Sequence, residues 1–196
     1  MPRFIGNSGQ ALAVPEPRRF FALLDNLGVA HPHVRFTLPK DLNHWLVKRS
    51  DGCGGTHIEL ASGIDHLPEH AYFQRLAQGR SMSELFLAAH REAKVIGFAS
   101  QLTIEAGRLP FVHAGYLGPV ELPPSIAGCI VKAIESIVWK TDLMGLNSID
   151  FLLDGDIFDV LEINARPSST RVSTMTHAMT CRCPARASKR ACPFAP

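Results

Sequence analysis

The chain has 196 residues, of which 46% are hydrophobic, and a formal net charge of +2 at pH 7. That length is enough to bury a core in one or two compact units. No stretch reaches the roughly 18 apolar residues that a membrane span needs, and the first residues lack the apolar run of a signal peptide. The sequence therefore predicts a soluble, cytoplasmic protein.

The positive charge comes from the C-terminal tail. Residues 168–196 contain no acidic side chain and five basic ones, Arg171, Arg182, Arg186, Lys189 and Arg190. The residues before the tail therefore carry the opposite sign, and the slightly basic balance gives no reason to expect nucleic-acid binding.

A first amphipathic helix is predicted near the N-terminus, over Arg18 to Leu27. Pro17 stands at its start and Gly28 follows its end. Proline favours the first turn of a helix and glycine favours the position just beyond the last turn. These two residues therefore mark the predicted ends of the helix.

A strand and a glycine-rich loop follow. Trp45 to Arg49 is typical of a short buried strand, Ser50 to His57 of a flexible loop, and Ile58 to Leu60 of the next strand. Lys48 supplies a positive point charge, and the glycines let backbone N–H groups approach a ligand closely, which suits a polyphosphate. The loop is not a Walker A motif, because its lysine precedes the glycines.

The middle of the chain indicates an antiparallel sheet. Phe73 to Ser83 contains strand-forming residues, and Leu85 to Leu87 and Lys94 to Phe98 read as two further strands. The polar residues His90 to Glu92 predict the turn between the last two strands.

A second helix is predicted over Ser125 to Trp139, with Ser125 as its N-cap. Its broad apolar face should cover the sheet that carries the acidic hairpin described next. That face is formed by Ile126, Ile130, Ile134, Ile137 and Val138.

The last structured segment, Ser148 to Pro167, reads as two strands joined by a turn. Its second strand ends in Glu-Ile-Asn-Ala-Arg-Pro, and its first contains Asp150. Carboxylates inside apolar strands are costly unless a cation or hydrogen-bond donors compensate them. A hard metal ion is the cation that oxygen ligands of this kind favour.

The turn length decides whether the two strands can share a metal. Side chains alternate across a sheet, so a two-residue turn, Asp154-Gly155, would put Glu162 on the face opposite Asp150. A three-residue loop, Asp154-Gly155-Asp156, would pair Asp150 with Val160 and put the two carboxylates on one face. We therefore predict the three-residue loop, with a left-handed conformation at its glycine or at the residue that follows.

Each feature also has a simpler interpretation. Lys48 could be a strand-end lysine that extends to solvent, and paired glycines often mark ordinary turns. The Glu-x-Asn-x-Arg-Pro ending could be a strand end with a surface ion pair. It is the order of the elements along the chain that favours a functional site.

Three elements follow one another along the chain: the lysine strand, the glycine-rich loop and the late Asp…Glu-x-Asn-x-Arg-Pro hairpin. Together they resemble the ATP-grasp family of ATP-dependent ligases, and the resemblance extends over about Ala13 to Pro167. In this resemblance Phe73 to Ser83 is similar to the hinge strand whose backbone hydrogen-bonds adenine, and Ala93 to Gln101 to the strand after it. The resemblance implies an α+β ATP-grasp fold, in which two α+β subdomains with antiparallel sheets grip ATP.

The resemblance also implies the site residues. ATP would be bound by Lys48, Ser50, Gly52, Gly54, Gly55, Gln74, Arg75 and Leu76. Mg²⁺, with Mn²⁺ as an alternative, would be held by Asp150, Glu162 and Asn164. Arg166 and Lys48 would act in catalysis, with Arg166 on the γ-phosphate or the carboxylate substrate. The implied reaction joins a carboxylate to an amine through an acyl phosphate.

The same resemblance divides the chain into three parts. Residues 1–38 would be a remnant of an N-terminal domain with its linking helix, residues 39–172 the ATP-grasp domain, and residues 173–196 a basic, cysteine-rich tail. The tail's Cys181, Cys183 and Cys192 could hold zinc with His177, but their spacing is poor for a zinc site and disorder is the better interpretation.

Substrates are expected to be small molecules, with no nucleic-acid or membrane partner, and a homodimer stays open. The motifs are most similar to carboxylate–amine ligases of one-carbon cofactor biosynthesis. The alternative hypothesis is a truncated or degenerate ATP-binding module without catalytic activity.

Overall fold

The computed structural model of the chain describes Asn7 and residues 14–50 and 52–165. Arg166 and the predicted tail, residues 173–196, lie outside these described residues. In the described part no helix is both long enough and apolar enough to cross a membrane.

The described elements form two antiparallel sheets and two helices. The helices are α1 (Pro17–Leu27) and α2 (Pro124–Thr141). The strands, in chain order, are β1 (Val34–Arg35), β2 (Trp45–Arg49), β3 (Ile58–Leu60), β4 (Ala71–Arg75), β5 (Arg80–Ala89), β6 (Glu92–Ala106), β7 (Leu109–Val120), β8 (Gly145–Asp154) and β9 (Ile157–Asn164). One sheet has the order β1-β4-β2-β3 and the other β7-β6-β5-β8-β9. The predicted α+β class with antiparallel sheets is confirmed.

Helix α1 begins and ends as predicted. Pro17 opens it, and the Glu16 side chain caps it by accepting hydrogen bonds from the backbone N–H groups of Arg18 and Arg19. Gly28 closes it with φ 66°, in the left-handed region where glycine has no steric cost. The helix buries Phe20, Phe21 and Leu24 in the main core.

Helix α2 covers the five-stranded sheet, but its predicted cap is wrong. Its predicted apolar face is fully buried and packs in one cluster with Met82, Phe86 and Phe151 of the sheet. The N-cap is Pro123 rather than Ser125, and no side chain caps the helix. Two consecutive prolines fix φ in the range that a first helical turn needs, so the helix starts without a hydroxyl cap.

The predicted hinge strand is divided between the two sheets. Strand β4 ends at Arg75 in the four-stranded sheet, and β5 starts at Arg80 in the five-stranded sheet. Gly79, with φ 131°, makes this crossing possible, because a Cβ there would lie only 3.1 Å from the Leu153 backbone. The segment 76–79 therefore joins the two sheets at one end of the space between them.

The acidic hairpin turns more tightly than predicted. Asp154 pairs with Ile157, so the connection has two residues, Gly155 and Asp156, and the predicted three-residue loop is wrong. Gly155 has φ 57°, so the predicted left-handed conformation is found at the glycine.

A bulge in β9 nevertheless brings the carboxylates onto one face. A regular ladder continued from the turn would place Leu161 opposite Asp150. The register shifts between Asp150 and Phe151, which leaves Leu161 as the extra residue and pairs Asp150 directly with Glu162. The prediction of a shared face is correct, although the predicted cause is not.

Candidate nucleotide and metal site

A cleft of about 620 Å³ lies between the two sheets. The four-stranded sheet contributes Leu46, Lys48 and Gln74, and the five-stranded sheet contributes the acidic pair. Of the residues predicted to bind ATP or metal, those that line the cleft are Lys48, Gly52, Gly54, Gly55, Gln74, Arg75, Leu76, Asp150, Glu162 and Asn164.

Ser50 is placed differently. Its backbone N–H and its hydroxyl both donate to the His70 carbonyl at 2.8 Å, which ties the start of the loop to the end of the β3–β4 connection. It lines a smaller adjoining cavity of about 290 Å³ instead of the main cleft. The wall residues that the main cleft and this cavity share are Gly52, His57, Leu161, Glu162 and Asn164.

Lys48 is a buried cation in the wall of the cleft. Only 3% of its surface is exposed, and it pairs across the sheet with Tyr72. Burial opposes its charge, but Tyr72, Glu162 and Asp150 outweigh burial and raise its pKa above the ordinary value. The raised pKa favours the charged lysine, and within residues 14–50 and 52–165 no salt bridge engages it, so its charge is available to a phosphate.

The glycine-rich loop reaches across the cleft to β7 of the other sheet. The Gly54 carbonyl accepts a hydrogen bond from the His113 N–H at 2.9 Å. At Gly55 a Cβ would lie 1.7 Å from the Phe111 carbonyl oxygen, so only glycine fits there. The loop thus covers the cleft, and it requires glycine for close backbone approach. This is the property of the glycines from which the sequence predicted a binding loop.

Two backbone N–H groups of the hinge are already engaged within the protein. The N–H groups of Arg75 and Leu76 donate to the carbonyls of His33 and His44 at 2.8 Å each, so neither is available to a base. The Arg75 guanidinium is also engaged, with the Asn43 carbonyl at 3.0 Å. The predicted adenine contact of the hinge backbone would therefore use other backbone groups of Phe73 to Ser83, and it stays a prediction.

Gln74 offers a side-chain donor at the hinge. It is 2% exposed, it lines the cleft, and its buried Nε2 atom has no hydrogen-bond partner among the described residues. A buried amide donor without a partner costs free energy, which a ligand acceptor would recover.

The acidic pair has the features of a cation site. Asp150 and Glu162 are direct cross-strand neighbours, and Asn164 Nδ2 donates to Asp150 Oδ2 at 3.3 Å. Burial, followed by repulsion from Glu162, raises the pKa of Asp150 to about 7. In the part of the chain that the structure describes, its buried Oδ1 atom has no hydrogen-bond partner. An orphaned carboxylate oxygen beside a second carboxylate fits a hard cation.

The protein supplies only part of such a coordination sphere. Among the described residues no group of three or more His, Cys, Asp or Glu side chains could hold a metal. Mg²⁺ is commonly bound by one or two carboxylates together with substrate phosphates, rather than by an all-protein cage. Asp150, Glu162 and the Asn164 amide oxygen therefore fit a Mg²⁺ that arrives with a nucleotide.

Sequence reasoning missed the wall formed by β5, β6 and β7. The Ser81 hydroxyl donates to Gln101 Oε1 at 2.5 Å, and Phe111, His113 and Tyr116 line the cleft from β7. Ser81 and Ser83, at alternate positions of β5, could have indicated that one face of this strand is polar. Ser83 pairs with Asp150 and so faces the site. Nothing in the sequence indicated which strand would lie next to the glycine-rich loop.

Residues 18–170 match the family described as an ATP-grasp domain, and the chain belongs to this family. The predicted ATP-grasp fold is thereby confirmed. No curated protein sequence matches the chain.

Solved structures agree on the fold. An ATP-grasp superfamily protein from Archaeoglobus fulgidus is similar with a TM-score of 0.70 at 20% identity, over 86% of this chain and 51% of that chain. An L-amino acid ligase from Bacillus licheniformis gives 0.66 at 15% identity, over 89% and 50% of the two chains. A D-alanine–D-alanine ligase from Bacillus anthracis gives 0.64 at 15%, over 89% and 64%. This chain therefore spans about half to two thirds of the length of these three proteins.

Proposed function

We propose that the chain binds ATP with Mg²⁺ in the cleft between its two sheets and uses it to join a carboxylate to an amine. The observation that carries this proposal is the placement of one buried lysine and two paired carboxylates around the same cleft, under a glycine-rich loop. The substrates and the place in one-carbon cofactor biosynthesis are proposed from the motif resemblance. A cytoplasmic location is proposed because such a reaction would find its ATP there.

In the proposed reaction a carboxylate oxygen attacks the γ-phosphorus of ATP and ADP leaves. The amine then attacks the acyl carbon, loses a proton, and phosphate leaves. Bound Mg²⁺ would neutralise charge that develops on the transferred phosphoryl oxygens.

The residues of the chain would supply position and charge. Lys48 would contact the α- and β-phosphates, and the backbone N–H groups of the glycine-rich loop would lie over them. Asp150, Glu162 and Asn164 would hold the metal at the phosphate end. The glycine-rich loop, which contacts β7 and covers the cleft, would keep water from the acyl phosphate.

Hydroxylamine trapping tests the reaction. It converts an acyl phosphate into a hydroxamate, so the chain with MgATP, a panel of carboxylates and hydroxylamine should release ADP and form hydroxamate in equal amounts. Lys48→Met should abolish both. ATP binding with no ADP release for any carboxylate would contradict the ligase proposal and favour the non-catalytic ATP-binding module.

A further inference from the structure

Asn7, near the N-terminus, joins the two strands of the acidic hairpin at the end away from its turn. Its side-chain Nδ2 donates to Asn147 Oδ1 at 2.9 Å and to the Ala165 carbonyl at 2.8 Å. Its Oδ1 accepts a hydrogen bond from the Met144 N–H at 2.7 Å. One amide side chain therefore links the start of β8 to the residue that follows β9.

The partner of Asn7 in β8 is itself fixed in place. Asn147 is fully buried, and its Nδ2 donates to the Gly145 carbonyl at 2.8 Å. Its Oδ1 is the atom that accepts from Asn7. A buried polar network whose members are satisfied in this way favours a single arrangement of the segments that it joins.

This link lies next to a predicted metal ligand. Ala165 directly follows Asn164, whose Nδ2 donates to Asp150 Oδ2 at 3.3 Å. The β8–β9 ladder ends at the pair of Ser148 with Asn164, and β9 is an edge strand of its sheet. The ends of strands open more readily than their centres. Asn7 therefore holds the chain at the point where the sheet alone would hold Asn164 least well.

We infer that Asn7 is a positioning residue for the metal site. Its hydrogen bonds hold the end of β9 so that the Asn164 amide stays beside Asp150. This inference rests on the proposed function, because Asn164 is a metal ligand only there. A ligand that is already held in place loses less conformational freedom when the metal binds. Loss of the link should therefore weaken the binding of Mg²⁺ more than the binding of the nucleotide itself.

Two variants of Asn7 test this. Asn7→Ala removes the amide, and Asn7→Leu keeps its approximate size without a donor or an acceptor. Isothermal titration of the full chain with ATP, once with Mg²⁺ and once with EDTA, measures the affinity that the metal adds. In both variants this added affinity should fall by about tenfold, the lower end of the effect of residues that orient metal ligands. ATP binding in EDTA should not change.

Asn26→Ala is the matched control. Asn26 is an exposed asparagine whose Nδ2 donates to the Ala22 carbonyl at 2.8 Å within α1, away from the hairpin. This variant should keep the whole of the affinity that Mg²⁺ adds.

The two titrations also separate positioning from a purely structural role. A structural role would weaken ATP binding equally with Mg²⁺ and with EDTA, and that result would overturn the inference. In the Asn164→Ala background, Asn7→Ala should reduce the affinity added by Mg²⁺ no further. A further tenfold loss in the double variant would show that Asn7 does not act through Asn164.

The unmodified chain distinguishes this inference from the proposed function. If Mg²⁺ strengthens its ATP binding and strengthens that of both Asn7 variants equally, the inference alone fails. If the unmodified chain binds no ATP, or binds it equally well with Mg²⁺ and with EDTA, the proposed function fails and the inference fails with it.

Discussion

Lys48 and Asp150 are both almost completely buried, and each would be costly alone. Tyr72, Glu162 and Asp150 favour the charged form of the lysine against its burial, whereas burial, followed by repulsion from Glu162, raises the pKa of Asp150 to about 7. One positive charge does not satisfy two negative ones in a space of low polarity. The unliganded site therefore retains a need for positive charge, which is the physical basis for expecting a metal.

Asp150→Asn should reveal this in the pH dependence of stability. The pKa of Asp150 is raised from 3.8 to about 7 in the folded chain, so the folded state binds more protons than the unfolded state between these values. The free energy of unfolding then falls as pH rises from about 4 to about 7 and levels off above that range.

The measurement is denaturant unfolding at pH 5 and pH 8 in the presence of EDTA. Asp150→Asn should gain stability over the unmodified chain by a few kcal/mol more at pH 8 than at pH 5. Asp156→Asn, an exposed aspartate in the hairpin turn, is the matched control and should follow the unmodified chain. The same change in the free energy of unfolding between pH 5 and pH 8 in all three proteins would contradict the raised pKa of Asp150.

Gln74→Leu should reduce the preference for ATP over GTP. An amide can donate to N7 of adenine and accept from its N6 amino group, a pattern that guanine does not offer. We expect about tenfold weaker ATP binding and little change for GTP, because a bidentate contact is worth about 1–3 kcal/mol of discrimination. Titrations with both nucleotides measure this, and the exposed Gln78→Leu is the control. Equal weakening of ATP and GTP would contradict base recognition by Gln74.

At the scale of elements, two adjacent glycines in the loop have different tasks. Gly54 and Gly55 both have positive φ, 64° and 76°. A Cβ on Gly54 meets nothing within 4 Å, whereas one on Gly55 meets the Phe111 carbonyl at 1.7 Å. The first needs glycine for its backbone conformation alone, and the second also for contact with β7.

Alanine substitution separates the two effects. Both Gly54→Ala and Gly55→Ala should lower the free energy of unfolding by about 1 kcal/mol through the left-handed conformation. Gly55→Ala should also undock the loop from β7 and weaken ATP binding by roughly tenfold more than Gly54→Ala, since an undocked loop must be ordered at the moment of binding. Unfolding and nucleotide titration of the two variants check this. The same ATP affinity in both would show that docking on β7 does not support binding.

The hairpin shows where prediction from sequence stops at this scale. Period-two alternation and the Asp-Gly pair located both strands and the turn, because these are local properties. The bulge at Leu161 was not predictable from them. The bulge lets Val160 and Ile163 reach the helix-covered core while Glu162 faces the cleft. That arrangement is a property of the packed sheet and not of the local sequence.

At the scale of the whole molecule, the order of motifs predicted the ATP-grasp fold, and the resemblance to that family implied its two antiparallel sheets. The crossing at residues 76–79 was missed because β4 and β5 read as one continuous strand. The hydrogen bond between Ser81 and Gln101 was missed because it arises only when separate strands meet. Arg166 lies outside the described residues, so its predicted contact stays a prediction.

The central claim is that the cleft between the two sheets holds MgATP through Lys48. Isothermal titration of the unmodified chain and of Lys48→Met with MgATP tests it most directly, with circular dichroism to confirm that both are folded. The unmodified chain should bind one ATP, more tightly with Mg²⁺ than with EDTA, and Lys48→Met should lose most of that affinity. Equal binding by the two folded proteins, or no binding by either, would contradict the claim.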